Sequence, residues 1–276
     1  MFRFVTQGAR MLINHLDIIS DDVWKRLANG KKYNITQGEE TLTDNILLYL
    51  ASQNLSEIKI IQTPKNMESV KGTDWEWWIG NRMHGYLRYA AQAKKLDAKT
   101  NRYSSLNHKV GVGSKALFQH DILEQYAHVN QAIPLYAFYN HLDPCNYPTR
   151  WNCPLPFELT KLGCTVTSLQ NVKYAIKNRG YRTFGAIHQF PDTVPLRCLA
   201  ECLNIATISE KSKIAKVHCF CVEAKIYQDP WEWLSQMGHL NSCEQMPNEY
   251  YNHELGFYPK RILLINTNEK TTNIAD

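Results

Sequence analysis

The sequence predicts a mixed α/β protein of the α+β kind, with a central mixed sheet flanked by helices. Three observations predict it. Apolar stripes of helical period occur in three separate places: Ala9, Leu12, Ile13 and Leu16; Leu42, Ile46 and Leu50; and Phe118, Ile122, Leu123, Tyr126 and Val129. Short runs of strand formers lie between and after them, at EIKIIQ (57–62), DWEWWI (74–79), YLRYAAQAKK (86–95) and IPLYAFYN (133–140). A stretch bounded by glycines, GNRMHG, joins the second and third runs as a hairpin turn.

Taken in order, residues 7–28 read as two helical pieces. The second opens with Ser20 as an N-cap before DDVWKRLA, with acids in its first turn and Gly30 near its end. Residues 1–34 are therefore expected to form an N-terminal helical segment that packs on the core. Residues 41–44, Thr-Leu-Thr-Asp, have the shape of a helix start, which puts Glu39 and Glu40 just before or inside a first turn. Two uses are open for these acids. They favour the positive end of the helix dipole by up to about 1 kcal/mol, or one of them serves a site.

Period-2 geometry puts Asp74, Glu76 and Trp78 on one face of the first hairpin strand, and Trp75, Trp77 and Ile79 on the other. On the second strand Leu87, Tyr89, Ala91 and Ala93 are small or apolar and should face a core, while Arg88, Gln92 and Lys94 face the other way. If Asp74 pairs with Gln92, then Asp74, Gln92 and Lys94 form one cluster. A carboxylate and an amide oxygen are hard ligands that suit Mg²⁺ or Mn²⁺. Such an ion polarises a phosphoryl oxygen and activates water, and a lysine beside it stabilises developing charge. The competing reading of the hairpin alone is a polar face that meets solvent.

Residues 96–117 are polar and basic, with lysines at 99, 109 and 115, Arg102 and His108. A loop of that length suits phosphate contacts or plain solvation. Gln119 and Asp121 open the next helix within reach of the hairpin. The run 133–140 is a buried strand that completes the sheet. A loop with four prolines covers 142–156. Helices are expected near 166–178, 195–204 and 229–237, with strands near 216–227 and at RILLINT. No motif in this second half carries chemistry.

The pattern EET at 39–41, GTDWEWW at 72–78, QAKK at 92–95 and PLYAFYN at 134–140 resembles the PD-(D/E)XK superfamily, the restriction-endonuclease-like nucleases, and within it an uncharacterised bacterial family. The resemblance covers about the first half of the chain. Thr73 stands where the family name has Pro, and Gln92 where an acid is usual, so one ligand is neutral. The resemblance implies a restriction-endonuclease-like core at 35–145, built as helix, three antiparallel strands, helix, strand, with a C-terminal extension at 146–276 packed on it. It implies a Mg²⁺- or Mn²⁺-dependent nuclease that hydrolyses phosphodiester bonds. Asp74 would be the central metal ligand, supported by Glu40 or Glu39, with Gln92 giving an amide oxygen and Lys94 orienting the attacking water. It further implies DNA as partner, a homodimer as one arrangement, and a role in bacterial restriction or phage defence. One alternative keeps the fold without catalysis, as a nucleic-acid-binding module, and Gln92 is the residue that invites it. Another takes the likeness as accidental and the tryptophans as packing for an interaction protein or small-molecule enzyme.

Bulk properties fit this reading without compelling it. The chain has 276 residues, 44% hydrophobic and 21% charged, with a net charge of +5, which permits a nucleic-acid partner. No apolar run reaches the ~18 residues of a membrane helix, and MFRFVTQGARMLINHLDIIS is too polar for a secretory signal. The cytoplasm is the expected compartment, where disulfides are rare. The eight cysteines (145, 153, 164, 198, 202, 219, 221, 243) show no standard zinc spacing, although Cys198-x3-Cys202 and His218-Cys219-Phe220-Cys221 hint at zinc.

Overall fold

The tryptophan-rich hairpin lies at the centre of a seven-stranded sheet. In a computed structural model of the chain, the residues described are 7–55, 57–62, 71–81, 84–111, 113, 116–143, 150–200, 207–209, 214–217, 220, 222–228, 230, 258–259 and 261–267. The elements run α1 (Gln7–Tyr33), α2 (Glu39–Ser52), β1 (Ile58–Gln62), β2 (Lys71–Thr73), β3 (Trp75–Asn81), β4 (Gly85–Lys95), β5 (Lys109–Val110), β6 (Leu117–Phe118), α3 (Gln119–Val129) and β7 (Ile133–Tyr139). They continue with β8 (Cys164–Ser168), α4 (Leu169–Lys177), α5 (Phe184–Ile187), β9 (Val194–Pro195), β10 (Thr207–Ser209), β11 (Ile214–Val217), β12 (Val222–Lys225), β13 (Tyr258–Pro259) and β14 (Arg261–Asn266). The main sheet has the order β1-β14-β3-β4-β7-β8-β9 and mixes parallel with antiparallel pairs.

Strands β3 and β4 are buried on both faces, which explains why their sequences carry few exposed polar positions. One face holds Trp75, Trp77, Leu87, Tyr89, Ala91 and Ala93 against α1 and α2, through residues such as Leu16, Leu42 and Ile46. The opposite face holds Ala90, Tyr136 and Phe138 under α3, α4 and α5, through Leu123, Tyr126, Val172 and Phe184. The odd positions of β4 thus face a core, as alternation predicts. The even face is no solvent-exposed hairpin surface. Glu76 and Arg88 are buried there as an ion pair at 2.6 Å, with Arg88 also donating to the Tyr126 hydroxyl and to Asn130. The pairing Trp75↔Ala91 and Glu76↔Ala90 continues to the register that sets Asp74 beside Gln92. The turn is shorter than residues 80–85: the strands run to Asn81 and from Gly85, and Asn81 Oδ1 accepts from the His84 N–H at 2.8 Å. A Cβ at Gly80 would meet the Gly85 carbonyl oxygen at 2.1 Å, so the hairpin closes only with glycine there.

Several expectations are corrected. The N-terminal segment is one continuous helix, not two. Ser20 does not cap; its hydroxyl donates to the Leu16 carbonyl at 2.9 Å from inside the helix, a bond that satisfies it when buried. The helix ends instead at Asn34 in the left-handed region (φ 55°), with the Ile35 N–H reaching the Gly30 carbonyl at 2.8 Å. Strand β1 runs antiparallel to β3 but is not its neighbour. Strand β14, Arg261–Asn266 of the run RILLINT, inserts between them, antiparallel to β1 and parallel to β3. Strand β7 does not close the sheet either, because β8 and β9 extend it.

The second half mixes agreements and departures in the same way. The stretch near 166–178 begins as β8 and turns helical at Leu169, where the Ser168 hydroxyl caps the Asn171 N–H. The strand near 216–227 is two strands, β11 and β12, paired antiparallel. The stretch near 195–204 opens with the second residue of β9 and turns helical at 198–200, and its residues 201–204 lie outside the described residues. The expected helix at 229–237 also lies there, apart from Pro230, as do His218 and Cys145, Cys202, Cys219, Cys221 and Cys243. Among the described residues no helix is long and apolar enough to cross a membrane.

Candidate active site

Helix α2 starts earlier than the Thr41 signal implies, at Glu39. Gly38 takes an extended conformation (φ −76°, ψ 160°), and its carbonyl accepts the Leu42 N–H at 3.1 Å. Thr43 is turned inward; its hydroxyl donates to the Glu39 carbonyl at 3.0 Å and lies 2.7 Å from the Tyr139 hydroxyl. Both acids therefore sit in the first turn. Glu39 Oε1 accepts the backbone N–H of Lys95 at 2.9 Å, and Glu39 Oε2 lies 3.6 Å from the Lys94 ammonium. Those two bonds lock the head of α2 onto the end of β4. Glu40 is more exposed and lines the same cleft.

Asp74 stands just before β3, where the ladder ends. Its N–H donates to the Ala91 carbonyl at 3.0 Å. Its Oδ2 accepts the Ala93 N–H at 2.9 Å, taking the place of a backbone partner, and also accepts from the Gln92 side-chain amide. The amide nitrogen of Gln92 thus points to Asp74, and its oxygen points away. That oxygen is buried and has no hydrogen-bond partner, a costly state that a bound cation or donor relieves. Lys94 is only 3% exposed, and an ammonium so buried is held by the charge facing it.

These side chains line an open cleft of about 240 Å³, together with Glu40, Thr43, His108, Val110, Gln119 and Arg261. All five sequence-predicted site residues, Glu39, Glu40, Asp74, Gln92 and Lys94, line it. Gln119 opens α3, and its side-chain oxygen is also buried without a partner. Asp121, two residues on, is exposed and is held near Lys173 and His120. The basic loop is well anchored: Tyr103 and Leu106 are buried, Tyr103 stacks on Phe138, and the His108 carbonyl accepts the Gln119 N–H at 2.9 Å. His108 stands exposed at the cleft rim, whereas Lys115 is outside the described residues.

Two further residues have no signal in the hairpin motif: Arg261, which lines the cleft, and Tyr136, which is buried beside Gln92 and is not in the cleft lining. Tyr136 lies directly opposite Gln92 in the parallel β4–β7 ladder, and its buried hydroxyl has no partner. Burial first, then the carboxylates of Asp74, Asp121 and Glu39, push that phenol far above its ordinary pKa. It therefore stays protonated and remains a donor. A parallel β4–β7 pairing is the signal that finds it. Arg261 comes from the start of β14 and contacts Asp44 of α2. No local signal places a residue so far along the chain at the cleft, because β14 joins the sheet through a long-range parallel pairing.

The donor set at the hairpin end is oxygen-rich: the Asp74 carboxylate, that of Glu39 or Glu40, and the Gln92 amide oxygen, the chemistry that hard divalent cations take. Among the described residues no group of three or more His, Cys, Asp and Glu forms a ready ligand cluster. The set here differs by counting Gln92 in place of an acid. A family profile matches residues 12–271. The chain belongs to that family, described as a family of unknown function (DUF6615). The match takes in α2, the hairpin, α3 and the inserted strand β14, so every element of this DUF6615 member that supplies the cleft falls within it. No curated protein matches the chain.

Proposed function

We propose that the cleft is the active site of a metal-dependent nuclease of the PD-(D/E)XK kind, hydrolysing phosphodiester bonds of nucleic acid, with DNA as the favoured substrate. The observation that carries this reading is the convergence of Asp74, Gln92, Lys94 and Glu39 at one strand end, with the buried oxygen of Gln92 unsatisfied. The order α2, β1, β3, β4, α3, β7 along the chain supports it as well, although β14 separates β1 from β3 in the sheet.

Asp74, the Gln92 amide oxygen and Glu39 or Glu40 would hold Mg²⁺ or Mn²⁺, which supplies Lewis acidity toward a phosphoryl oxygen and a more acidic water. Glu39 is favoured over Glu40 because it already bridges to Lys94 and to the β4 backbone. Lys94 positions the attacking water and meets charge that develops on the phosphate. Gln119 and the Tyr136 hydroxyl offer neutral polar contacts, and His108 and Arg261 give the rim its basic character. Restriction or defence against phage DNA, in the cytoplasm, is the proposed role, and a homodimer would let two copies cut two strands.

The test is incubation of the chain with plasmid DNA and Mg²⁺ or Mn²⁺, beside Asp74→Ala and Lys94→Ala. Cleavage by the wild type alone, abolished by EDTA, supports the proposal. Equal cleavage by all three proteins sinks it. One observation favours a second reading, a nucleic-acid-binding module without catalysis: Asp74 Oδ2 is already engaged by the Gln92 amide and Ala93 N–H. DNA binding unchanged in Asp74→Ala, with no cleavage by any protein, would select it.

A further inference from the structure

Far from the cleft in sequence, a second cluster of reactive groups lies where the segment after Trp151 meets the chain following β9. The Arg197 guanidinium is buried and pinned from several sides. It contacts Asp17 of α1 at 3.2 Å, donates to the Pro156 carbonyl at 2.9 Å, and lies 5.4 Å from the centre of the Trp151 ring. Its Nε–H donates to the sulfur of Cys153 at 3.4 Å. The Cys198 thiol and the Leu155 backbone N–H face that same sulfur. Cys153 is half-buried at the edge of the core, while Cys198 is buried behind it at 4% exposure. Three donors, one of them a fixed cation, thus converge on one sulfur, and one of the three is itself a thiol.

We propose that Cys153 and Cys198 form a peroxide-reactive dithiol, with Cys153 as the attacking sulfur and Cys198 as the resolving one. The Cys153 thiol is drawn down to about 6, first by the Cys198 hydrogen bond, against the opposing pull of burial, then by Arg197 and the Leu155 N–H. Cys164 is the internal contrast. It is 2% exposed, and burial pushes its thiol strongly upward. The Cys153 thiolate is the nucleophile at neutral pH, whereas Cys164 stays an inert thiol.

The oxidant is a hydroperoxide. The Cys153 thiolate attacks its terminal oxygen, the O–O bond breaks, and the alcohol or water leaves with a proton, giving Cys153 sulfenic acid. The Cys198 sulfur then attacks the sulfenic sulfur. The S–O bond breaks, water leaves with the Cys198 proton, and the S–S bond forms. The two sulfurs together lose two electrons and the peroxide gains them. Two equivalents of a small thiol reverse the step and leave as their own disulfide. The product ties the 150–158 segment to the chain after β9, across a contact that is hydrogen-bonded in the reduced protein.

The experiment treats the reduced full chain with hydrogen peroxide, blocks free thiols and maps peptides by mass. The expected first product is a Cys153–Cys198 cross-linked peptide, lost in Cys153→Ser. In Cys198→Ser a dimedone adduct should collect on Cys153 instead. Alkylation of Cys153 should change less than about twofold between pH 7 and 8, where an ordinary thiol rises about eightfold. A different pair cross-linking first, or an eightfold rise at Cys153, overturns the proposal.

Discussion

Arg88 and Gln92 lie on one face of β4, with Ala90 between them, and each meets an acid of the neighbouring chain segment. The two ends of that face are built differently. At the Arg88 end, Glu76 accepts from Arg88, from Tyr126 at 2.7 Å and from the Trp78 ring N–H at 3.3 Å, while Arg88 adds bonds to Asn130 and lies over Trp78. Burial disfavours the guanidinium, but the Glu76 carboxylate outweighs it and holds Arg88 above its ordinary pKa. Glu76 and Arg88 are 0% and 3% exposed, and α3 covers them. At the Gln92 end the polar groups are nearly as buried, yet the oxygens of Gln92 and Gln119 and the Tyr136 hydroxyl lack partners, and the surface opens into a cleft. A closed network ties strands to a helix. An incomplete one beside an opening leaves buried polar atoms without the partners that a bound ligand would supply.

Neutralising one charge at each end should separate the two ends most clearly. Asp74→Asn keeps its shape and should lower DNA cleavage by about 10³-fold or more, with the circular-dichroism melting curve unchanged. Arg88→Met should do the reverse. It leaves the buried Glu76 side chain without its cation, which costs about 3–5 kcal/mol in urea unfolding, while the folded fraction keeps its specific activity. If Arg88→Met abolished cleavage at full stability, the two ends would not be separable.

A pH titration of stability gives the next largest effect. His188 is buried, its Nδ1–H donates to the Phe184 carbonyl at 2.8 Å, and it accepts from the Thr165 hydroxyl at 3.0 Å. Burial lowers its pKa to about 4, despite the Phe184 bond. The folded state therefore binds fewer protons than the unfolded one between about 4 and the ordinary 6.5. Stability is fully present above 6.5 and falls as pH drops through that window, by about 3 kcal/mol. His188→Gln should flatten this part of the curve; an unchanged slope would place the titration elsewhere. The smallest effect sharpens the cleft end: Gln92→Glu adds a charged ligand and should tighten Mn²⁺ about tenfold, near 1.4 kcal/mol, by calorimetry.

Local chemistry made the site legible before its surroundings. Period-2 alternation and one turn were enough to bring Asp74, Gln92 and Lys94 together, because an antiparallel hairpin is set by neighbours in sequence. Glu39 and Glu40 were legible as first-turn acids, although the Gly38 carbonyl, not Thr41, starts the helix. Pairings distant in the chain left no local signature. RILLINT reads as a strand, but nothing in it says that it separates β1 from β3 or brings Arg261 to the cleft. Ser20 misleads because a buried serine inside a helix and a capping serine carry the same letter; the Leu16 carbonyl decides between them.

The most direct measurement is calorimetric binding of Mn²⁺ to the full chain and to Asp74→Asn. Saturable binding by the wild type and its loss in the variant, with both proteins equally stable, is the expected result. Equal binding by the two proteins, or none by either, would contradict the claim that the unsatisfied end of the hairpin face is a cation site.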